Sequence, residues 1–483
     1  MSASGTAFFI ILAIVGAGSF IGFLAGRRRR MDLEQWTVAG RGFGVVLVWL
    51  LMAGEVYTTF SLLGASGWAY SRGGPTLYIL AYMTLAYVVS FYVLPPLWEV
   101  ARAHSLQSQP DFFLQCYGSR ILAALVALVG VVSLIPYLQL QLTGMGIIVE
   151  VASFGSIKPA VAMVIGAALV AGFVFSSGMR AVAWVSVLKD VLLLGAVVSI
   201  GVVIPRHWFG GIGPMFTALI HAHPAHLTMP AATRTMGHAW YVSTVLLTGL
   251  GAFMWPQSFG ASFTAKSADT LRRNAVLMPF YNLLLPFVVF VGFAAVLVIP
   301  GLSDGDLSLL TLVGKTFPAW FLGVVGGAGA LTAMVPSAIL TLTAATLFAK
   351  NLYRPLFSPG MTDDQVARLA RRSAVVFMAA ALGFALTSSR TIVALLLLGY
   401  TGVAQFFPGV VLGLFWRRAN LQGVTCGLIV GIAAVAFLVT TRHDPFMGLN
   451  AGFVALLLNF VVTVSVCLMS SRQRSEESAA IRA

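Results

Sequence analysis

The chain has 483 residues, 59% of them hydrophobic and only 9% charged. Soluble domains carry about 25% charged residues, so an ordinary water-soluble enzyme or a string of soluble domains is excluded. The net charge of +14 is read as basic loops on one side of a membrane, and no nucleic-acid partner is expected.

Apolar runs of about 20 residues, the length that crosses a bilayer, recur from end to end. They predict 13 spans, near 6–26, 43–66, 76–98, 120–149, 159–177, 182–204, 239–263, 276–300, 318–348, 373–389, 391–415, 421–441 and 448–470. The first run, Thr6–Gly26, is too long for the apolar part of a signal peptide and is read as a retained span. Arg27 to Arg30 follow it, which places that loop in the cytoplasm and the N-terminus outside. Alternating onward puts 21 lysines and arginines inside, 7 outside and Lys189 within a span, which accounts for all 29. The C-terminus is then cytoplasmic.

The longest outside loop, about 205–238, holds His221, His223 and His226, read as part of an amphipathic turn rather than a metal site. Gly314-Lys315-Thr316 lacks the leading glycine of a phosphate loop, since Leu309 stands there. Cys116, Cys426 and Cys467 have no metal or disulfide spacing and read as small apolar residues. No metal and no cofactor is expected.

The informative residues are those that cost energy in lipid. In the second span, Ala53-Gly54 precedes Glu55, followed by Tyr57, Thr58 and Thr59. Small residues and hydroxyls there suit backbone that leaves the helix and lines a wet cavity. The sixth span holds Lys189 and Asp190. Neighbours on a helix point about 100° apart, so each is expected to find another partner, and Glu55 is a candidate for Lys189. Burial favours a neutral amine, which makes Lys189 a candidate proton carrier. Tyr137, Gln141, Trp255, Gln257 and Gln405 add polar or aromatic groups beside proline or glycine breaks, with Pro256 opening the seventh span. Interrupted spans 2 and 7 then hold corresponding places in two five-span units, 2–6 and 7–11, of opposite orientation.

The chain resembles the sodium:solute symporter family. The resemblance rests on Trp36–Arg41, the second span, Ile135–Gly144, Gly178–Trp184, Trp255–Gln257 with Ala265-Lys266-Ser267, Lys350–Tyr353 and Ala404–Asn420. Within the family, the stretch Met52–Tyr70 is most similar to bacterial monocarboxylate permeases. The resemblance implies an all-α fold of the leucine-transporter type, with a core of five plus five inverted helices and alternating access. Residues 1–42 would form the first span and a basic loop, 43–415 the transport core, and 416–483 two further helices and a short tail. The family's sodium site uses carbonyls of the broken second span and a hydroxyl pair on the ninth. Aligned from Asn351-Leu352-Tyr353, these positions fall at Ala53 and Val56, and at Val335 and Pro336, with Ser337 adjacent. Neither Val335 nor Pro336 offers a hydroxyl. The family's acid early in the sixth span is replaced by Ser186, with Lys189 one turn later.

The resulting expectation is a multi-pass transporter of the bacterial inner membrane, not an enzyme. It would import a small monocarboxylate such as lactate, pyruvate or propionate with a proton, Lys189 standing in for sodium. A sodium-coupled carrier of proline, pantothenate or a sugar is the alternative. The lipid bilayer is the other expected partner, and no obligate protein partner is evident.

Overall fold

The computed structural model describes residues 3–26, 39–176, 179–230, 236–387 and 390–470. The described residues are helical apart from connections and two isolated bridges, Phe43 with Ala265 and Phe446 with Leu449. Ten helices are long and apolar enough to cross a membrane, and one bent pair brings the number to 11. The expected count of 13 is therefore not reached by full-length helices. The segment 159–177 is the short helix Pro159–Ser176, and 239–263 is split into His238–Gly251 and Pro256–Ser262. The basic run Arg27 to Arg30 and the C-terminal tail lie outside the described residues.

The bent pair is the second span. Helix Val45–Val56 stops, Tyr57 takes φ −88° and ψ 89°, and the chain resumes through a wide turn at Phe60–Gly64 into Ala65–Arg72, 55° off axis. Ala53-Gly54, the expected point of breakage, remains helical, with the Tyr57 N–H still donating to the Ala53 carbonyl at 2.9 Å. The helix fails three residues later, at the Tyr57-Thr58-Thr59 run. In the seventh span Trp255 is extended (ψ 130°) and Pro256 opens the next helix. Proline forces its predecessor out of the helical region and needs no N–H partner at a first turn. The two broken spans are tied directly: the Phe43 N–H donates to the Thr264 carbonyl and the Lys266 N–H to the Phe43 carbonyl, both at 3.0 Å.

Small residues set the close packing, as they do where lipid offers no hydrophobic drive between helices. A Cβ on Gly323, Gly326 or Gly327 of the ninth span would meet Ala7, Ile11 and Ile14 of the first at under 3.0 Å. Gly423, Gly427 and Gly431 bring Leu421–Thr440 against Cys467, Thr463 and Asn459 of Ala451–Met469. Cys467 thus packs as a small residue, and none of the three cysteines is in a disulfide. The long loop contains the helix Ile212–Ala222. Its histidines do not converge: His226 Nε2 lies 2.8 Å from the Ala69 carbonyl, and no group of three or more metal-ligating side chains forms among the described residues. Gly314-Lys315-Thr316 closes the ordinary helix Ser308–Thr316.

One end of the bundle is held by a polar cluster. Helix Gln109–Tyr117 carries Asp111, which meets Lys350 Nζ at 2.8 Å and accepts from Asn351 Nδ2 at 2.8 Å. Lys350 also donates to Gln107 Oε1 at 2.9 Å, and Gln109 Nε2 to the Met254 carbonyl beside the seventh-span break at 3.0 Å. Burial pushes the Asp111 carboxyl up, but the Lys350 charge and the surrounding donors outweigh it, and it lies below the usual carboxylate range. A carboxyl with a lowered folded pKa stabilises the fold above its unfolded value, and the effect fades as pH falls through the folded one. We therefore expect Asp111→Asn to cost about 1.5–3 kcal/mol at neutral pH. Thermal unfolding in detergent should show the wild-type advantage level above about pH 5 and shrinking as the solution is acidified below about pH 4.

Candidate functional site

The end of helix Val45–Val56 leaves carbonyls that no longer meet a following N–H. In a membrane interior such groups must be satisfied within the protein. Lys189, on helix Met179–Phe209, satisfies two of them: its Nζ donates to the Gly54 carbonyl at 2.7 Å and the Tyr57 carbonyl at 3.3 Å. The side chain is fully buried. Gly54 makes the approach possible, because a Cβ there would stand 3.1 Å from Nζ and 3.5 Å from Ser186 Oγ. The glycine is a seat for the ammonium rather than a hinge.

Lys189 also meets Asp190 Oδ1 at 3.2 Å. This corrects the expectation that the two neighbours cannot pair: the Cα–Cβ directions diverge, but a four-carbon stem lets the ammonium reach back to the carboxylate. Tyr281 donates to the same Oδ1 at 3.0 Å, and Tyr57 donates to the Tyr281 carbonyl at 3.1 Å. Ammonium, carboxylate, tyrosine and broken backbone form one unit. Glu55 stands outside it. Its Oε2 accepts from Ser258 at 2.7 Å, and no salt bridge among the described residues joins it to Lys189.

Of the positions aligned with the sodium site, Ala53 and Val56 adjoin the break, but their carbonyls are otherwise engaged. The Ala53 carbonyl holds the Tyr57 N–H, and the Val56 carbonyl accepts the Ser61 hydroxyl at 2.6 Å. The oxygens facing the cation belong to the following residues, Gly54 and Tyr57. On the ninth span Val335, Pro336 and Ser337 are buried, and Ser337 donates to the Ala333 carbonyl at 2.8 Å. Ser186 likewise donates to Val182 of its own helix at 3.0 Å. Across the break, Gln141 Oε1 accepts the Thr59 hydroxyl at 2.6 Å and the Thr59 N–H at 3.4 Å. Thr58 Oγ1 accepts the Phe60 N–H at 3.2 Å. Thr58, Thr59 and Gln141 thus secure the second half-helix and do not line the cavity beside it.

That cavity, about 50 Å³, lies between the two broken spans and is lined by Glu55, Val56, Tyr137, Trp255 and Gln257. At about 10–15 Å³ per water, that space holds roughly three to five waters. Tyr137 donates to the Glu55 carbonyl at 3.2 Å and packs on Trp255 with centroids 4.8 Å apart. Glu55 Oε1 and Gln257 Oε1 are buried without a partner. The lining holds no lysine, arginine or histidine. Gln405 is elsewhere: it donates to the Thr401 and Gly452 carbonyls and accepts from Asn459 Nδ2 at 3.1 Å. It joins helices, in space that Gly431 leaves open.

Ser258, Tyr281 and the third span also belong to this region and are not among the residues expected there. Tyr82, Met83, Ala86 and Tyr87 of helix Tyr78–Ala103 form one wall, and Tyr400 of the eleventh span completes it. The spacing 82, 83, 86, 87 marks one helix face, and that was a usable signal. Nothing local marks Ser258 or Tyr281.

The architecture and the broken spans define a polytopic membrane transporter. The model of the sodium:solute symporter family matches residues 36–431, and the chain belongs to that family. It is 45% identical to the uncharacterized symporter YhjB of Bacillus subtilis (strain 168), over 97% of this chain and 98% of that one. A monocarboxylate transport permease protein of Rhizobium johnstonii is 28% identical, over 96% of each. A Na+-coupled sialic acid symporter in a substrate-bound outward-open state superposes with a TM-score of 0.81 at 17% identity, covering 97% of this chain and 99% of that one. That likeness gives the fold, the leucine-transporter type.

Replacing Gln141 by leucine removes the side-chain acceptor that serves both Thr59 groups in the break. We expect a loss of about 1–3 kcal/mol, seen as a lower thermal midpoint of the purified protein. Unchanged stability would mean that the break is held without Gln141.

Proposed function

We propose that this protein imports a small monocarboxylate together with a proton across a bacterial plasma membrane, by alternating access in an inverted-repeat core spanning 43–415. The observation that carries the coupling is the Lys189 ammonium, 2.7 Å and 3.3 Å from the carbonyls of the broken second span. Two carbonyl oxygens and a carboxylate make a cation seat, and here the cation is part of the chain. A covalently held cation cannot be released, so its charge leaves as a proton. Loss of that proton weakens the ties to Gly54 and Tyr57 and frees the half-helix to move.

The substrate class rests on the 28% identical monocarboxylate transport permease and on the size of the cavity. An anion in a cavity whose one charged group is Glu55 needs that carboxyl neutral, so a proton accompanies it. The neutral Glu55 then offers a donor to the bound carboxylate while Ser258 orients the side chain.

The test is uptake of labelled L-lactate and pyruvate by proteoliposomes under imposed gradients. An acid exterior should drive accumulation without sodium. Lys189→Gln should lose at least about tenfold of the acid-driven rate, the size expected for an essential proton-carrying group. Accumulation driven by a sodium gradient, with no response to pH, would overturn proton coupling. Sodium-driven uptake of proline, pantothenate or a sugar, with none of either acid, would establish the alternative carrier.

A further inference from the structure

The eighth span, Ala268–Val298, is also interrupted. It runs as helix Ala268–Asn282, a turn at Leu283-Leu284, and helix Leu285–Val298, with Pro286 in the first turn of the second half. Proline has no N–H to give the Asn282 carbonyl four residues back, so the ladder of backbone bonds is cut there. The Tyr281 carbonyl, one residue earlier, takes the Leu284 N–H at 3.2 Å in a tightened turn and the Tyr57 hydroxyl at 3.1 Å. A side chain from the break in the second span thus fills a backbone valence at the break in the eighth. In a membrane interior a loosened turn is tolerated only with such a partner.

Tyr57 and Tyr281 each take part twice, once through the carbonyl and once through the hydroxyl. Lys189 Nζ donates to the Tyr57 carbonyl at 3.3 Å, and Tyr57 Oη to the Tyr281 carbonyl at 3.1 Å. Tyr281 Oη donates to Asp190 Oδ1 at 3.0 Å, and that oxygen lies 3.2 Å from Lys189 Nζ. The contacts close a ring through the second, sixth and eighth spans. The two phenol rings meet edge-on with centroids 4.6 Å apart, and both side chains are buried. The ionisable groups around the ammonium are Asp190 on its own helix, Glu55 and Tyr57 on the second span and Tyr281 on the eighth. The first and ninth spans, which pack on the same helix, bring none. Polar groups in a closed network strengthen one another, so the loss of one charge is felt by every member.

We propose that the eighth span moves with the second during transport, and that Tyr281 is the positioning residue that carries the charge state of Lys189 to its break. This deepens the proton-coupled reading above and rests on it. While Lys189 is an ammonium, Asp190 is balanced and the ring holds the two interrupted spans together. Once the proton has left, the Asp190 carboxylate loses its counter-charge. An unbalanced buried carboxylate is costly, and relieving it displaces Asp190 together with the tyrosine that donates to it. Displacing Tyr281 disturbs its carbonyl's bonds with the Leu284 N–H and the Tyr57 hydroxyl. The turn at Leu283-Leu284 then loosens together with the second-span break.

The test is hydrogen–deuterium exchange of the full-length protein in detergent at one fixed pH, read by mass spectrometry in peptides covering 281–288, with 421–440 as reference. Lys189→Gln should raise exchange at 281–288 about fivefold or more and leave the reference within about twofold. Tyr281→Phe keeps the ring and the carbonyl and removes only the donated O–H. It should raise exchange to a similar degree, and the double variant should exchange no faster than either single one. Independent effects would instead multiply. Wild-type exchange at 281–288 in Lys189→Gln, a multiplied effect in the double variant, or an equal rise at 421–440 would overturn the proposal. This measurement needs no solute, so it is separable from the transport reading. Non-additivity in a protein without acid-driven lactate uptake would sustain the link from Lys189 to the eighth span and sink that reading. In proteoliposomes Tyr281→Phe should lower Vmax for acid-driven L-lactate uptake about fivefold or more with KM within about twofold, because Tyr281 does not line the central cavity. A wild-type Vmax in that variant would also overturn the proposal.

Discussion

A lysine ammonium set into a broken helix is the constraint on which the site depends. Interrupting a membrane helix strands backbone carbonyls where water cannot serve them. Lys189 supplies donors to two of them, and Asp190 balances its charge. A buried charge of either sign alone would be prohibitive, and an ion pair is tolerated only when its remaining valences are filled. The carbonyls fill those of the lysine, and Tyr281 fills one of the aspartate's. The break and the ion pair therefore stabilise each other.

Around that unit the bundle sets out a path. The central cavity has Glu55, Tyr137, Trp255 and Gln257 on its walls. A pocket of about 30 Å³ between Gln257 and Ser108 lies beyond it, toward the Asp111–Lys350 cluster. In the other direction the central cavity's wall residues Tyr82 and Tyr400 continue through Tyr78 to Trp68 and Trp240, each ring contact having centroids 5.8–6.0 Å apart.

The sequence made a large part of this legible. A carboxylate and a lysine in apolar runs are costly enough to stand out; Glu55 lines the cavity between the broken spans, and Lys189 sits on the second-span break. Pro256 marked the seventh-span break because its chemistry acts on the residue before it. The second-span break was misplaced at Ala53-Gly54, because a glycine can serve as a hinge or as a space for a neighbour, and only the position of Lys189 distinguishes them. Gln405 looked like a ligand group for the same reason: an amide beside a proline has no local sign of whether it faces a cavity or another helix. Lys189 and Asp190 were expected to avoid one another on the strength of Cβ directions, which say little about the reach of a long side chain.

What the sequence determined by itself was the solvent of the protein and the periodicity that follows from it: long apolar helices, basic loops, and the few places where polar groups or proline violate the pattern. Those are local properties, fixed by transfer energies and backbone geometry. The tertiary structure alone decided who meets whom. Ser258 is 203 residues from Glu55, Tyr281 is 91 from Asp190, and Lys189 is 135 from Gly54. Contacts over such separations come from how helices cross, and helix crossing is set by the summed packing of many small and large side chains, which no single segment encodes.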